Sequence, residues 1–278
     1  MTTTAPGIDP AAFTADWQRW RAEREEVVAS PDGILPVVSI DYLIDRLVAI
    51  DRLPGRWSST DEGVSVELGP GEALRDGAGT VTGRVVLARP AEGGSRRLPQ
   101  DDRITVELVR GNGWDIVRVR DAESAAVRRY AGTPAYAPDP AWRVAGRWIP
   151  AAQTLRVRTV SDRVSRDAVS PGSVEFGLHG RVYRLVALPA HGLPGHVVLL
   201  FRDATSGVTT HAAQRELLVA LPAAGDEVVV DFTRAYNKPC AYSDFALCPL
   251  PPAGNVIGIA VEAGERIPRR HEHGGSQE

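Results

Sequence analysis

Beyond Pro54 the sequence is a succession of short β-branched and aliphatic runs that glycine and proline interrupt. Such runs, spaced regularly between turn signals, are typical of sandwiches and barrels and not of βαβ units. The pattern predicts a mostly β, two-lobed protein of sandwich or barrel-like architecture. Gly111-Asn112-Gly113 joins two of the runs as a hairpin, because an Asn-Gly turn needs positive φ. The predicted strands are 64–68, 80–88, 103–110, 114–120, 154–160, 173–178, 182–188, 196–201, 227–232 and 256–261.

The N-terminal region has the pattern of an amphipathic helix. Asp9 has the residue type of an N-cap, and Pro10 occupies the first helical position, where a missing N–H has no consequence. Apolar residues then recur at helical spacing: Phe13, Trp17, Trp20, Val27 and Val28. The pattern predicts a helix to about Ala29, ended near Pro31, whose apolar side docks onto the body of the protein.

The same signals suggest a division of the chain. We expect an N-terminal helix in residues 1–33, a first β lobe in 34–140, a second β lobe in 141–265 and a disordered tail in 266–278. The stretch 133–140 contains three prolines and no periodicity, which is typical of a connector. Within 34–53, apolar residues fit one face of a short helix: Ile40, Leu43, Ile44, Leu47 and Val48.

Charge and composition exclude several classes of partner. The formal net charge of −3 over 278 residues is too small to indicate a nucleic acid or an acidic membrane surface. No apolar run approaches the ~20 residues that span a bilayer. Residues 1–10 have neither a basic nor an apolar segment of the secretory type. We therefore expect a cytoplasmic protein whose partner is a small molecule, while its oligomeric state stays open.

The densest group of chemically useful side chains lies near the C-terminus. It reads Asp231-Phe232-Thr233-Arg234-Ala235-Tyr236-Asn237-Lys238-Pro239-Cys240-Ala241-Tyr242, then Cys248-Pro249-Leu250-Pro251-Pro252, Asn255 and Ala263-Gly264-Glu265. This stretch resembles the signature of a bacterial family known as domain of unknown function 1684, and a second block resembles it at 201–207. The resemblance covers residues from about 13 to 266. It implies a short helical start and a largely β fold, with extended structure in 34–53, and it implies no reaction.

Three positions depart from the family pattern as the resemblance defines it. Thr233 stands where Asn is usual, Lys238 where Pro is usual, and Thr210-His211-Ala212 where Thr-Tyr-Gly is usual. A specialised activity of this member would be expected at these positions. Lys238 is also the only lysine in the sequence.

The two cysteines allow four interpretations. Cys240 and Cys248 could form a disulfide, worth about 2.5 kcal/mol by the chain-entropy estimate. They could bind zinc together with His211 and Asp231, although their spacing is wider than the usual two to four residues. They could be buried thiols, or Cys240 could be a reactive thiol that the charge of Lys238 favours.

Eight residues form the predicted site, and no metal site or organic cofactor is predicted. The candidate catalytic residues are His211, Arg215, Tyr236 and Lys238, and the candidate ligand-binding residues are Asn237, Cys240, Tyr242 and Asp231. Tyr236 and Asn237 would orient a ligand, Arg215 would hold a carboxylate or oxyanion, and His211 would move a proton. Lys238 is either an amine nucleophile with a pKa lowered by burial or an exposed loop lysine.

Two functional hypotheses follow. One is a cofactor-independent enzyme that acts on a small organic metabolite in a pocket of the second lobe, by acid/base or electrostatic catalysis. The other is a non-catalytic ligand-binding or scaffold protein in which the cysteine motif is a structural brace. A metal or redox role for the cysteines is a third. Catalysis predicts that His211, Arg215 and Tyr236 converge on one cavity. A brace predicts that Asn237, Asn255 and Asp231 are consumed by backbone hydrogen bonds and that no cavity remains.

Overall fold

The computed structural model describes residues 9–77, 79–111, 113–159, 165–190, 192–246 and 248–269. Strands dominate these residues, so the prediction of a mostly β protein with an N-terminal helix is confirmed. The chain divides into two compact units: unit 1 comprises residues up to 26 and from 131 onward, and unit 2 comprises residues 27–130. Asn112 of the predicted hairpin turn, residue 160 of a predicted strand and residues 270–278 of the predicted tail lie outside the described residues.

Helix α1 (Pro10–Ala29) begins and ends where the sequence predicts. Asp9 caps it, because its carboxylate accepts the Ala11 N–H at 3.1 Å and its carbonyl accepts the Phe13 N–H at 2.9 Å. Phe13 is buried, and the indole N–H of Trp17 donates to the Thr233 carbonyl at 2.9 Å. The apolar side of the helix therefore packs onto the rest of unit 1, as predicted. No helix among the described residues combines the length and apolar composition needed to cross a bilayer.

Unit 2 consists of short antiparallel strands and one short helix. Its elements are β1 (Val37–Tyr42), β2 (Val48–Ala49), β3 (Arg56–Ser59), β4 (Val64–Glu67), β5 (Leu74–Asp76), β6 (Gly79–Val81), β7 (Arg84–Leu87), β8 (Ser95–Pro99), β9 (Ile104–Gly111), β10 (Trp114–Asp121) and α2 (Ala125–Arg129). The described strands form sheets with the orders β1-β10-β9-β8, β2-β3-β4-β7 and β5-β6. Trp114 pairs with Gly111, which confirms the predicted hairpin. A core around Trp57, Val106 and Val117 fills the unit.

The predicted short helix within 34–53 is wrong, since the segment contains the strands β1 and β2. Strand β1 pairs with β10 and places Ile40 opposite Arg118. Of the five apolar residues that suggested a helix face, Leu43 alone is buried. Pairing of β1 with β10 and of β2 with β3 overrides the local pattern. The extended structure that the family resemblance implies is the one observed.

Unit 1 is built on one strongly curved antiparallel sheet. Its strands are β11 (Arg143–Arg158), β12 (Ser165–Leu178), β13 (Arg181–Pro189), β14 (His196–Asp203), β15 (Arg215–Ala220), β16 (Glu227–Asp231) and β17 (Val256–Ile257). The order is β15-β14-β13-β12-β11-β16, and β17 pairs in parallel with β14. The edge strands β15 and β16 approach each other, so the sheet is barrel-like and nearly closed. Short 3-10 turns occupy 140–142, 232–234 and 239–241.

Alternation along β14 and β15 creates two different faces. One face packs into the core of unit 1 and carries Val197, Leu199, Phe201, Leu217 and Val219. The opposite face carries Val198, Leu200, Glu216 and Leu218, which line a cavity. Because side chains of a strand alternate with a period of two, neighbouring residues of β15 serve different environments.

Unit 1 differs from the sequence-based expectations in several places. Strand β11 begins at Arg143, well before the predicted segment 154–160, and β15 was not predicted. The predicted strand 256–261 is limited to Val256–Ile257. Residues 266–269, assigned to the disordered tail, are held by backbone hydrogen bonds: the Arg266 N–H donates to the Pro134 carbonyl at 2.8 Å and the Arg269 N–H to the Gly132 carbonyl at 2.9 Å.

Candidate functional site

A carboxylate, a phenol and an ammonium meet at the beginning of β15. Glu216 and Tyr236 form a backbone bridge through two N–H···O=C bonds of 2.8 and 2.9 Å. Their side chains also meet: the Tyr236 hydroxyl donates to Oε1 of Glu216, and Nζ of Lys238 donates to Oε2. The Glu216 side chain is 8% exposed and that of Lys238 is 21% exposed. One oxygen of the Glu216 carboxylate thus accepts from a neutral hydroxyl, and the other accepts from a charged ammonium.

This group lies at the polar end of an open cavity of about 380 Å³. The cavity walls come from five strands of the curved sheet, β11 to β15, and include Val157, Ala168, Leu188, Val198, Leu200 and Leu218. Glu216, Tyr236 and Lys238 are the charged or hydroxyl-bearing residues among its described lining. An apolar recess with a few convergent polar groups is the usual form of a small-molecule site.

Electrostatics fix the protonation of Tyr236. Burial raises the pKa of its hydroxyl far above the ordinary range, and the negative charge and hydrogen bond of Glu216 raise it further. The Arg24 guanidinium, 4.7 Å from the ring centroid, acts in the opposite direction. The phenol therefore stays protonated and serves as a donor to Glu216.

Arg215 lies on the core face of β15, away from the cavity lining. It is fully buried and donates to Oδ2 of Asp203 at 2.8 Å, to the Val261 carbonyl at 2.9 Å and to the Ala263 carbonyl. Its guanidinium also lies 5.3 Å from the ring centroid of Phe201. These contacts bind the C-terminal segment to the sheet, so Arg215 acts as a structural ion-pair partner where the sequence suggested a ligand clamp.

His211 lies outside the described lining of the cavity. Burial lowers the pKa of its imidazole, while hydrogen bonds with the backbone of Gln214 and Cys240 oppose that shift. Asp203, an acidic residue near the start of the same loop, is engaged with Thr205 and Arg215, and its Oδ1 accepts the Thr205 N–H at 2.8 Å. Asp203 therefore stabilises its own turn. The structure does not bring His211, Arg215 and Tyr236 to one cavity.

Asn237 and Tyr242 converge on a second carboxylate, Glu265. This side chain is completely buried and accepts from Arg21 Nη1 at 2.6 Å, the Asn237 N–H at 2.7 Å and the Tyr242 hydroxyl at 3.2 Å. Burial, followed by the charge of Glu265, raises the pKa of Tyr242 far above its usual range. Gly264 precedes the carboxylate with φ of +76°, and a Cβ there would lie 2.4 Å from the Ala235 carbonyl oxygen. The Ala-Gly-Glu sequence that ends the motif is thus required by the fold around Glu265.

Asn255 is consumed by backbone hydrogen bonds, and one oxygen of Asp231 is engaged with a backbone N–H. The Asn255 side chain accepts the Val186 N–H and donates to the Val186 and Leu200 carbonyls, each at 2.8 Å, and so joins β13 to β14. Asp231 caps the turn at 232–234 by accepting the Thr233 N–H at 3.1 Å. Burial raises the pKa of the Asp231 carboxyl. The braces that one hypothesis requires are present, and so is the cavity that the other requires.

Cys240 and Cys248 are neighbouring free thiols. The Cys240 N–H donates to Sγ of Cys248 at 3.3 Å. The hydrogen bond from the Cys240 thiol lowers the pKa of Cys248 and, together with burial, raises that of Cys240. Among the described residues, no group of three or more His, Cys, Asp or Glu side chains is arranged to hold a metal.

Glu216 is the site residue that sequence reasoning missed. Its signal was the run from Arg215 to Ala220, in which two charges precede four consecutive aliphatic residues. Alternation would have separated Glu216 from Arg215 onto opposite faces. Its proximity to Tyr236 depends on a long-range bridge that local patterns do not specify.

The fold and the site define unit 1 as a barrel-like β unit with an open cavity beside Glu216. The C-terminal motif forms a second, buried hydrogen-bond network around Glu265. The family model for the protein of unknown function DUF1684 matches residues 128–266, half of the chain, and the chain belongs to that family. No match is found among curated proteins. Among solved structures, the solution NMR structure of the uncharacterized protein from gene locus rrnAC0354 of Haloarcula marismortui is 31% identical. It covers 49% of this chain and 76% of its own, with a TM-score of 0.41.

Proposed function

We propose that unit 1 is a cofactor-independent enzyme that binds a small organic metabolite in the cavity beside Glu216, Tyr236 and Lys238. One observation carries the proposal: a carboxylate with two proton donors lies at the polar end of an otherwise apolar cavity of about 380 Å³. A cavity of this size lies at the small end of the usual range for ligand sites.

The geometry supports acid/base or electrostatic catalysis by three residues. Glu216 would take up a proton from the substrate as general base. Lys238 would stabilise negative charge that develops on the substrate, because an ammonium in a partly dry site interacts strongly with an oxyanion. Tyr236 would position the Glu216 carboxylate through their hydrogen bond. Arg215 and Asn237 support this site through the fold, because their donors bind protein acceptors.

The second candidate function is a non-catalytic ligand-binding protein. Both oxygens of Glu216 already accept a hydrogen bond, and most of the polar motif residues act as braces. In this case the protein would bind the ligand and release it chemically unchanged. The two candidates share the cavity and differ in the chemical fate of the ligand.

A matched pair of variants on β12 tests whether the cavity binds ligands. Ala168→Phe fills the cavity, whereas Val169→Phe adds the same side chain at the neighbouring position, which is 61% exposed and outside the described lining. A thermal-shift screen against a metabolite library should yield ligands that stabilise the wild type and Val169→Phe but not Ala168→Phe. Equal shifts in all three proteins would show that the cavity is not the binding site.

Mass spectrometry of each hit after incubation separates the enzyme from the binding protein. Conversion by the wild type and its loss in Glu216→Gln would support catalysis. Quantitative recovery of the unchanged ligand, with binding abolished by Ala168→Phe, would favour the binding protein. Absence of any hit across the library would contradict both candidate functions.

A further inference from the structure

Lys238 has unused hydrogen-bonding capacity at the cavity. An ammonium group has three N–H donors, and among the described residues Glu216 is the one partner of Lys238 Nζ. Lys238 is also the more exposed member of the pair, at 21% against 8% for Glu216. A ligand that enters the cavity therefore meets free cationic donors.

The other two polar groups offer little to a ligand that donates protons. The Tyr236 hydroxyl directs its proton to Glu216, and its raised pKa keeps that proton in place. Both Glu216 oxygens already accept a bond. An ammonium ligand would lie beside the charge of Lys238 and compete with existing donors for Glu216. The polar end of the cavity thus favours an acceptor, most strongly an anionic one.

The apolar part of the cavity favours an aliphatic body. Apart from Tyr236, the described lining residues with apolar side chains are Val, Leu, Ala and Pro. Leu193 and Leu218 line it while remaining 47% and 37% exposed, so the apolar wall continues to the solvent. An extended alkyl chain can follow such a wall, with favourable burial of about 0.8 kcal/mol per CH₂.

From these contacts we infer that the cavity takes an aliphatic carboxylate, whose head group binds Lys238 Nζ and whose alkyl chain lies against β12, β14 and β15. This inference rests on the proposed function, because it names the ligand class of the same cavity. Lys238 stands where the family resemblance places Pro, so carboxylate recognition would be specific to members with a lysine there.

Isothermal titration calorimetry with octanoate, 1-octanol and octylamine tests the head group at constant chain length. The wild type should bind octanoate most tightly, and Lys238→Met should lose about 10- to 100-fold of that affinity. Octanol affinity should fall much less than octanoate affinity in Lys238→Met, and Lys238→Arg should retain the preference for octanoate. The ratio of octanoate to octanol affinity is the readout, because general damage to the fold would weaken both ligands.

The single lysine provides an independent observation of the contact. Protein labelled with ¹³C-lysine gives side-chain signals from Lys238 alone, since no other lysine occurs in the sequence. Octanoate should shift the Lys238 Cε signal in the wild type and in Val169→Phe. It should leave that signal unchanged in Ala168→Phe.

The outcomes separate this inference from the proposed function. If octanol or octylamine binds as tightly as octanoate, and Ala168→Phe abolishes that binding, the carboxylate class is wrong while the cavity remains a ligand site. If the octanoate preference survives Lys238→Met, recognition by Lys238 is wrong. If none of the three probes binds the wild type, the aliphatic carboxylate is excluded, and the library screen alone then decides the proposed function.

Discussion

Glu265 and Glu216 are both buried carboxylates of unit 1, and they have different surroundings. Arg21, the backbone N–H of Asn237 and the hydroxyl of Tyr242 enclose Glu265, which has no exposed surface. Glu216 has one phenol and one lysine as side-chain partners and faces a cavity of about 380 Å³. The same type of side chain is therefore fully enclosed by protein at Glu265 and borders a ligand-sized cavity at Glu216.

The difference lies in the partners. A guanidinium fork and a backbone N–H hold a carboxylate in fixed geometry, whereas an ammonium on a flexible four-carbon stem can reorient. Replacing a fixed donor leaves buried charge unpaired, so the sealed carboxylate contributes to stability. A mobile donor beside a cavity can exchange one partner for a ligand. The comparison assigns stability to Glu265 and recognition to Glu216 and Lys238.

The largest expected effect comes from removing the sealed charge. Glu265→Gln should lower the free energy of unfolding by about 3–5 kcal/mol, because Arg21 and Arg24 would lose their buried counter-charge and keep only the partly exposed carboxylate of Glu25 nearby. Urea unfolding measures this loss. Glu262→Gln, at an exposed position three residues earlier, is the matched control and should change stability by less than about 0.5 kcal/mol. A loss below about 1 kcal/mol for Glu265→Gln would remove the distinction between the two carboxylates.

Asp121 of unit 2 is another buried carboxylate that is paired with arginines. It tests whether such pairing also contributes to stability in the second unit. Hydrogen bonds from Arg103, together with the charge of Arg52, lower the pKa of this carboxyl from 3.8 to about 2. The ionised form is thus favoured in the folded state. Its contribution is fully present above the unfolded pKa and is lost as pH falls from about 4 to about 2. Because both arginines are nearly half exposed, we expect about 1–2 kcal/mol.

Urea unfolding of the wild type and Asp121→Asn between pH 6 and pH 2.5 measures this contribution. The stability difference between the two proteins should be largest at pH 6 and clearly smaller at pH 2.5, where most of the contribution has been lost but the folded pKa of about 2 has not yet been passed. A difference that is independent of pH would show that Asp121 stabilises unit 2 through packing and not through its charge.

Local patterns in the sequence predicted the elements whose signals are local. The cap at Asp9, the helix α1 and the strand at 196–201 all required only neighbouring residues. The segment 34–53 was misassigned because its extended structure depends on pairing of β1 with β10 and of β2 with β3. Strand β15 escaped notice because two charges open it, and those charges are tolerated only through contacts with distant residues.

The site was predicted in part for the same reason. Tyr236 and Lys238 were identified from the motif, and both line the cavity. Arg215 was chosen and Glu216 was not, although they are adjacent. Alternation separates the two residues onto opposite faces, but the next residues on the two faces, Leu217 and Leu218, are both leucines, so hydrophobicity does not show which face has the cavity. Only the closed curvature of the sheet determines that.

The smallest effect on stability is expected for Glu216→Gln, and it sharpens the comparison most directly. The amide can still accept a hydrogen bond from Lys238 or Tyr236, so the free energy of unfolding should fall by no more than about 1 kcal/mol. Removal of the negative charge leaves Lys238 available to an anion, so the octanoate affinity should rise by about 2- to 10-fold while octanol binding is unchanged. Calorimetry and urea unfolding of the same variant measure both quantities. A loss of about 3 kcal/mol without any gain in octanoate affinity would place Glu216 in the same class as Glu265, as a brace that happens to border a cavity.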